Sequence, residues 1–167
     1  WVTKEYYGYF DGLSGCFRKY STGGFYMAGS IEDTTGTDYA LLYRFNENGD
    51  TLWTRKYGNG TDFYTFLHAR ETSDKGFILA GTRTVGTNGQ GMLIKTDSLG
   101  NIQWQQNYGG IGREFGTSVL PLSDGRYLLG GSTETFPCGN VLEDQSWLLK
   151  ANTNGSQNWS NCYGGPN

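Results

Sequence analysis

A repeat governs this chain. Gly24-Phe25-Tyr26-Met27-Ala28-Gly29-Ser30 returns as Gly76-Phe77-Ile78-Leu79-Ala80-Gly81-Thr82, and again as Arg126-Tyr127-Leu128-Leu129-Gly130-Gly131-Ser132, at offsets of 52 and 50 residues. Downstream, Leu42-Tyr43-Arg44-Phe45-Asn46-Glu47-Asn48-Gly49 is matched by Leu93-Ile94-Lys95-Thr96-Asp97-Ser98-Leu99-Gly100 and by Leu148-Leu149-Lys150-Ala151-Asn152-Thr153-Asn154-Gly155. Each copy closes on a Trp-x-x-x-Tyr-Gly step: Trp53 with Tyr57, Trp104 with Tyr108, Trp159 with Tyr163. Trp1 with Tyr6 or Tyr7 reads as an earlier, degraded instance. A unit repeated at a fixed step buries its apolar face by stacking on its neighbours. Counted from Trp to Trp, one continuous segment, 1–167, divides into units 1–52, 53–103 and 104–158, with the start of a further unit at 159–167.

The periodicity inside a unit is that of strands. Ile102, Trp104 and Tyr108 share one parity while Asn101, Gln103, Gln105 and Asn107 share the other, which predicts one buried and one wet face. Ser118 to Leu122 and Tyr127 to Gly131 flank Ser123-Asp124-Gly125, and Trp147 to Lys150 leads through Asn152-Thr153-Asn154-Gly155 into the next Trp segment. Both read as hairpins with glycine at the left-handed position that closes the turn. The 27 glycines, 3 prolines and 16 % aromatic residues suit short strands joined by tight turns. About four strands per unit of this length is the size of a propeller blade, and no capped helical period competes with it. The expected fold is therefore all-β: a β-propeller with three four-stranded antiparallel blades visible, part of a larger ring. A β-sandwich is the alternative, although it does not require the same Trp and Gly at a fixed interval.

With the run Gly76-Phe77-Ile78-Leu79-Ala80-Gly81-Thr82 and the stretch from Met92 to Trp104, the chain resembles the Trp-punctuated β-propeller repeats of secreted and cell-surface bacterial proteins, common in the Bacteroidetes. The resemblance covers nearly the whole chain and implies fold more than function. A more distant likeness is to quinoprotein dehydrogenases, whose blades also dock through a hairpin carrying Asp or Asn, Gly and Trp. Their quinone, calcium ion and catalytic Asp match no position here.

A net charge of −3 with no basic cluster argues against a nucleic-acid partner. The absence of any apolar run of 18 residues argues against a membrane span. The opening at Trp1 suggests a processed or excerpted segment. Cys16, Cys138 and Cys162 fit no zinc pattern; they are buried thiols or include one disulfide, for which Cys138 with Cys162 is the candidate pair.

Trp53, Trp104 and Trp159, with Tyr57, Tyr108 and Tyr163, are expected to dock neighbouring blades rather than to stack sugars, because they recur at every junction. Arg44, Lys95 and Lys150 keep a basic group at one place, which lines a channel or pairs with Asp38 and Asp144, and the structural ion pair is the preferred reading. The loop Asn46-Glu47-Asn48-Gly49-Asp50 resembles a calcium loop, but its sister copies are plain turns, so no metal is expected. His68 has no Ser or Cys motif beside it, and the pairs Glu32-Asp33 and Glu143-Asp144 are only neighbours in sequence, so no catalytic residue and no cofactor is assigned. Asn59, Asn154 and Asn158 match the N-glycan acceptor pattern. Thr34, Thr51 and Ser98 sit in triplets resembling those at which exported Bacteroidetes proteins carry O-glycans. The expected function is a non-catalytic extracellular or cell-surface scaffold that binds protein or polysaccharide through loops. The alternatives are a structural subunit of an extracellular filament, formed by self-assembly, and part of a quinone-dependent or hydrolytic propeller enzyme. Three blades do not close the usual ring of four to eight, so neighbours outside this segment or further chains complete it.

Overall fold

The computed structural model describes residues 16–134 and 145–164, and within them every regular element is a strand. There are twelve: β1 (Cys16–Lys19), β2 (Phe25–Glu32), β3 (Asp38–Phe45), β4 (Thr51–Tyr57), β5 (Phe63–Glu71), β6 (Phe77–Val85), β7 (Asn88–Thr96), β8 (Ile102–Tyr108), β9 (Glu114–Pro121), β10 (Tyr127–Thr133), β11 (Gln145–Ala151) and β12 (Gln157–Tyr163). They form three four-stranded antiparallel meanders, β1 to β4, β5 to β8 and β9 to β12, each pairing strands in chain order. The Trp segment is thus the fourth strand of each sheet, so the sheets are phased differently from units counted Trp to Trp.

The turns explain the regular return of glycine. Between the third and fourth strands the same four-residue turn recurs, with Gly49, Gly100 and Gly155 donating N–H to the carbonyls of Asn46, Asp97 and Asn152. The three glycines have φ of +87°, +78° and +83°, a region that costs other residues strain. The two predicted hairpins are present, β9 with β10 and β11 with β12.

Two apolar layers hold the sheets together. Tyr26, Ala28, Ala40, Leu42 and Tyr57 of the first sheet pack on Tyr64, Phe66, Phe77, Leu79, Met92 and Ile94 of the second. The opposite face of the second sheet, Ile78, Ala80, Leu93 and Tyr108, packs on Val119, Tyr127, Leu129, Trp147 and Leu149 of the third. The backbone approaches between sheets centre on the first strand of the later sheet: β5 lies near β1, β2 and β3, and β9 near β5, β6 and β7. The sheets therefore converge at their first strands and splay at their fourth, where large side chains fill the gap.

One parity prediction is corrected. Ile102 is 50 % exposed and does not share the buried face of Trp104 and Tyr108. A bulge explains it: Lys95 pairs with Trp104 but Thr96 with Ile102, so one extra residue, Gln103, reverses the alternation. The same irregularity recurs at Leu52 and Asn158.

Candidate functional site

The residues that recur build two equivalent joints between sheets. In the first, Trp53 meets Phe77 edge to face, ring centroids 6.0 Å apart, and covers Gly100, while the Tyr57 hydroxyl donates to the Gly100 carbonyl at 2.8 Å. In the second, Trp104 meets Tyr127 at 5.6 Å, its Nε1–H donates to the Thr153 carbonyl at 3.0 Å, and the Tyr108 hydroxyl donates to the Gly155 carbonyl at 2.6 Å. A Cβ on Gly100 would lie 2.6 Å from Arg55 Cγ, and one on Gly155 2.7 Å from both Gln106 Cγ and the Trp104 ring. Burial pushes both tyrosine hydroxyls far above their ordinary pKa, which keeps them donors at any physiological pH. In the third sheet Trp159 is half-buried, and Tyr163 is 55 % exposed where Tyr57 and Tyr108 are 4 % and 5 %.

Arg44 is not paired with Asp38, the acid expected from sequence, and Lys95 forms its ion pair with a different acid. Arg44 lies over the Tyr20 ring at 4.0 Å and donates to the carbonyls of Gly23, Phe25 and Phe45, gathering the ends of two hairpins. Asp38 is at the far end of β3, about 20 Å away at the rise of a strand. Lys95 is buried and pairs at 2.8 Å with Asp74, on the β5–β6 turn. Asp144 lies outside the described residues. Trp147 is core, with its Nε1–H on Ser160 Oγ at 2.7 Å.

Antiparallel meanders bring the β2–β3 type of turn and the connection between sheets to one end of the fold, where two arginine–carboxylate pairs form. Asp62 binds Arg83 at 2.6 Å, and Arg113 binds Glu134 through two guanidinium nitrogens. The arginines hold both carboxyls below their usual range. Glu114 is buried, accepting from the Gly110 N–H at 3.1 Å and the Thr133 hydroxyl at 3.2 Å, under a glycine, Gly109, whose Cβ would overlap its carboxylate. Arg113 and Glu134, with Thr87, Asn88, Ile111 and Gly112, line a depression of about 360 Å³. Ile111 is 94 % exposed on its rim, and the buried Asn88 Oδ1 has no hydrogen-bond partner among the described residues. None of these residues stands out in the sequence; the only signal is the run Gly109-Gly110-Ile111-Gly112, which marks a connection whose backbone must lie close to other groups.

The remaining candidates are separate from this rim. His68 Nδ1 accepts the Val119 N–H at 3.0 Å, tying β5 to β9, and burial, with Arg70 and Arg18 nearby, lowers its pKa. The side chain of Asn46 is spent on its own turn, accepting from the N–H groups of Asn48 and Asp50, and no group of three metal-ligating side chains occurs among the described residues. Thr34, Thr51 and Ser98 are exposed. Asn59 donates its amide to Asp62 at 2.6 Å, Asn158 donates to Asn152, and Asn154 Oδ1 accepts from Ser156. Cys16 is a buried free thiol and Cys162 is disulfide-bonded; Cys138, the partner expected for it, lies outside the described residues. No helix among the described residues is long and apolar enough to cross a membrane.

No protein-family model matches the chain, and comparison with curated proteins finds no significant match. Among the described residues, what is shown is an all-β repeat architecture of three four-stranded antiparallel sheets.

Proposed function

We propose that the three sheets are blades of a β-propeller and that the protein is a non-catalytic extracellular or cell-surface scaffold, which holds a protein or glycan on its loop rim. The splay of the sheets from converging first strands supports the propeller reading, as does the Trp that closes each gap. The disulfide at Cys162 and the resemblance to secreted bacterial repeats support an oxidising location. The observation that carries the binding role is the depression with an exposed Ile111 on its rim and, in its wall, an acceptor, Asn88 Oδ1, that is unpaired among the described residues. Glu134 in its lining is committed to Arg113, and the neighbouring Glu114 to the Gly110 N–H and the Thr133 hydroxyl, which favours recognition over acid–base chemistry. An exposed aliphatic side chain beside a rigid ion pair suits a protein ligand better than a sugar, whose faces prefer aromatic rings.

The test is a displayed random-peptide library and a glycan array, each read with the native sequence and with Ile111→Ser. Ligands whose affinity falls at least about tenfold, roughly 1.4 kcal/mol, in the variant are expected. Retention of every ligand by Ile111→Ser, or no ligand from either source, overturns the reading.

A further inference from the structure

The middle sheet has an edge that no strand covers among the described residues. β8 is the last strand in the order β5-β6-β7-β8, so only β7 pairs with it, and the N–H and C=O groups along its other side are without backbone partners there. This edge runs from Ile102 to Tyr108, between two other sheets in the chain, and so does not depend on where the sequence begins or stops. An open edge templates pairing with another strand, and proteins blunt such edges with charges, proline or bulges.

β4 is blunted in this way, with Arg55 and Lys56 side by side in it. β8, Ile102-Gln103-Trp104-Gln105-Gln106-Asn107-Tyr108, has neither a charge nor a proline. β12 is uncharged as well, but its Cys162 carries a disulfide, so a further segment is bonded to that strand. Of the blunting devices β8 keeps only the bulge at Gln103, which leaves Trp104 to Tyr108 in regular register with β7. The side-chain amides of Gln103, Gln105 and Gln106 make no hydrogen bond among the described residues.

We infer that β8 pairs antiparallel with the β8 of a second copy about a two-fold axis through Gln106, joining two four-stranded sheets into one continuous sheet. The occupant is a second copy because the run is complementary to itself when turned on that axis. Gln105 then faces Asn107, Trp104 faces Tyr108 and Gln106 faces Gln106, so amide meets amide, ring meets ring and no charge opposes another. A carboxamide both donates and accepts, so each amide pair is satisfied from either side. A charged partner strand would find no countercharge on this edge. The interface is isologous and therefore closes at two copies. Its main-chain hydrogen bonds are each modest in net strength, which places association at micromolar to millimolar concentrations. The inference is independent of the ligand-binding role of the loop rim.

The experiment is light scattering of the 167-residue chain from about 1 µM to about 1 mM, with hydrogen exchange at both ends of that range. The native chain is expected to pass from 18.5 kDa to twice that mass and to grow no further. Amides of β8 are expected to exchange more slowly at the higher concentration, and those of β4 equally at both. Gln106→Lys and Gln106→Glu each set like charges across the axis and are expected to weaken dimerisation at least about tenfold, with the thermal midpoint of the dilute chain unchanged. Arg55 covers Gly100 as Gln106 covers Gly155, so a charged side chain of this length fits the place. An equimolar mixture of the two variants is expected to form a one-to-one dimer. Asn161→Lys, the matching change on β12, is expected to leave the native dimer intact. Should either Gln106 variant not fold, Gln105→Lys, which puts a charge on the same edge, weakens association by a similar factor and gives the readout. A chain that stays monomeric throughout, growth beyond two copies, β8 exchange that ignores concentration, a dimer lost in Asn161→Lys, or a mixture that fails to pair overturns the proposal.

Discussion

Asp74 and Lys95 show how the repeated basic position is held by an acid on the turn between the first and second strands, where Asp124 recurs near Lys150. The buried Lys95 ammonium reaches Asp74 and the Thr96 carbonyl. Although partial burial opposes ionisation of Asp74, hydrogen bonds from Lys95, Thr72 and the Gly76 N–H hold its carboxyl at about 2, below the ordinary 3.8. A depressed carboxyl contributes stability above its unfolded pKa and loses it as pH falls through the folded one. Asp74→Asn is therefore expected to lower unfolding stability by about 1 kcal/mol at pH 7, a figure kept small because the carboxyl is half-exposed. In urea titrations the gap to the native sequence should hold down to about pH 4 and shrink towards pH 2. His68 acts in a higher range. Its lowered pKa means that the unfolded chain takes up the proton first, so stability present above about pH 6.5 is lost as pH falls below it. His68→Leu, which leaves the Val119 N–H without its acceptor, is expected to cost about 1–2 kcal/mol at pH 8 and to flatten the pH dependence between pH 7 and 5 in the same titration.

The fourth strand and the turn before it form the element that joins sheet to sheet. Tyr57→Phe and Tyr108→Phe each leave a buried glycine carbonyl unpaired and are expected to cost about 1 kcal/mol, whereas Tyr163→Phe should leave the monomer's thermal midpoint unchanged. Gly100→Ala and Gly155→Ala combine backbone strain with a clash and should destabilise by about 1–3 kcal/mol more than Gly49→Ala, which meets only the strain. Much of this element was legible beforehand: an i, i+4 spacing puts Trp and Tyr on one face of a strand, and recurrence at every junction points to docking. What was not legible was the acceptor, because a main-chain carbonyl leaves no mark in sequence. The bulges at Leu52, Gln103 and Asn158 were hidden for a related reason. They depend on pairing with the neighbouring strand, and the alternation of Ile102 with Trp104 could not reveal the extra residue between them. The rim was equally silent, since Arg113 and Glu134 are 21 residues apart and belong to no repeated pattern.

In the molecule as a whole the second sheet is the only one with apolar layers on both faces among the described residues, and β6 is buried from Phe77 to Thr82. Hydrogen exchange is expected to be slowest in β6 and β7, with the sheets on either side opening first. Uniform protection across all three sheets would show instead that they unfold as one unit. The same stacking makes each contact between sheets a nearest-neighbour affair. The joint has a consequence for how such a chain can change over generations. Its acceptor is a peptide carbonyl, so the turn residues Ser98-Leu99 and Thr153-Asn154 are at liberty to diverge while docking is inherited intact. Only the glycine, which gives the ring room to lie down, is held in place, and a unit copied or deleted between two others would find its neighbours already prepared to receive it.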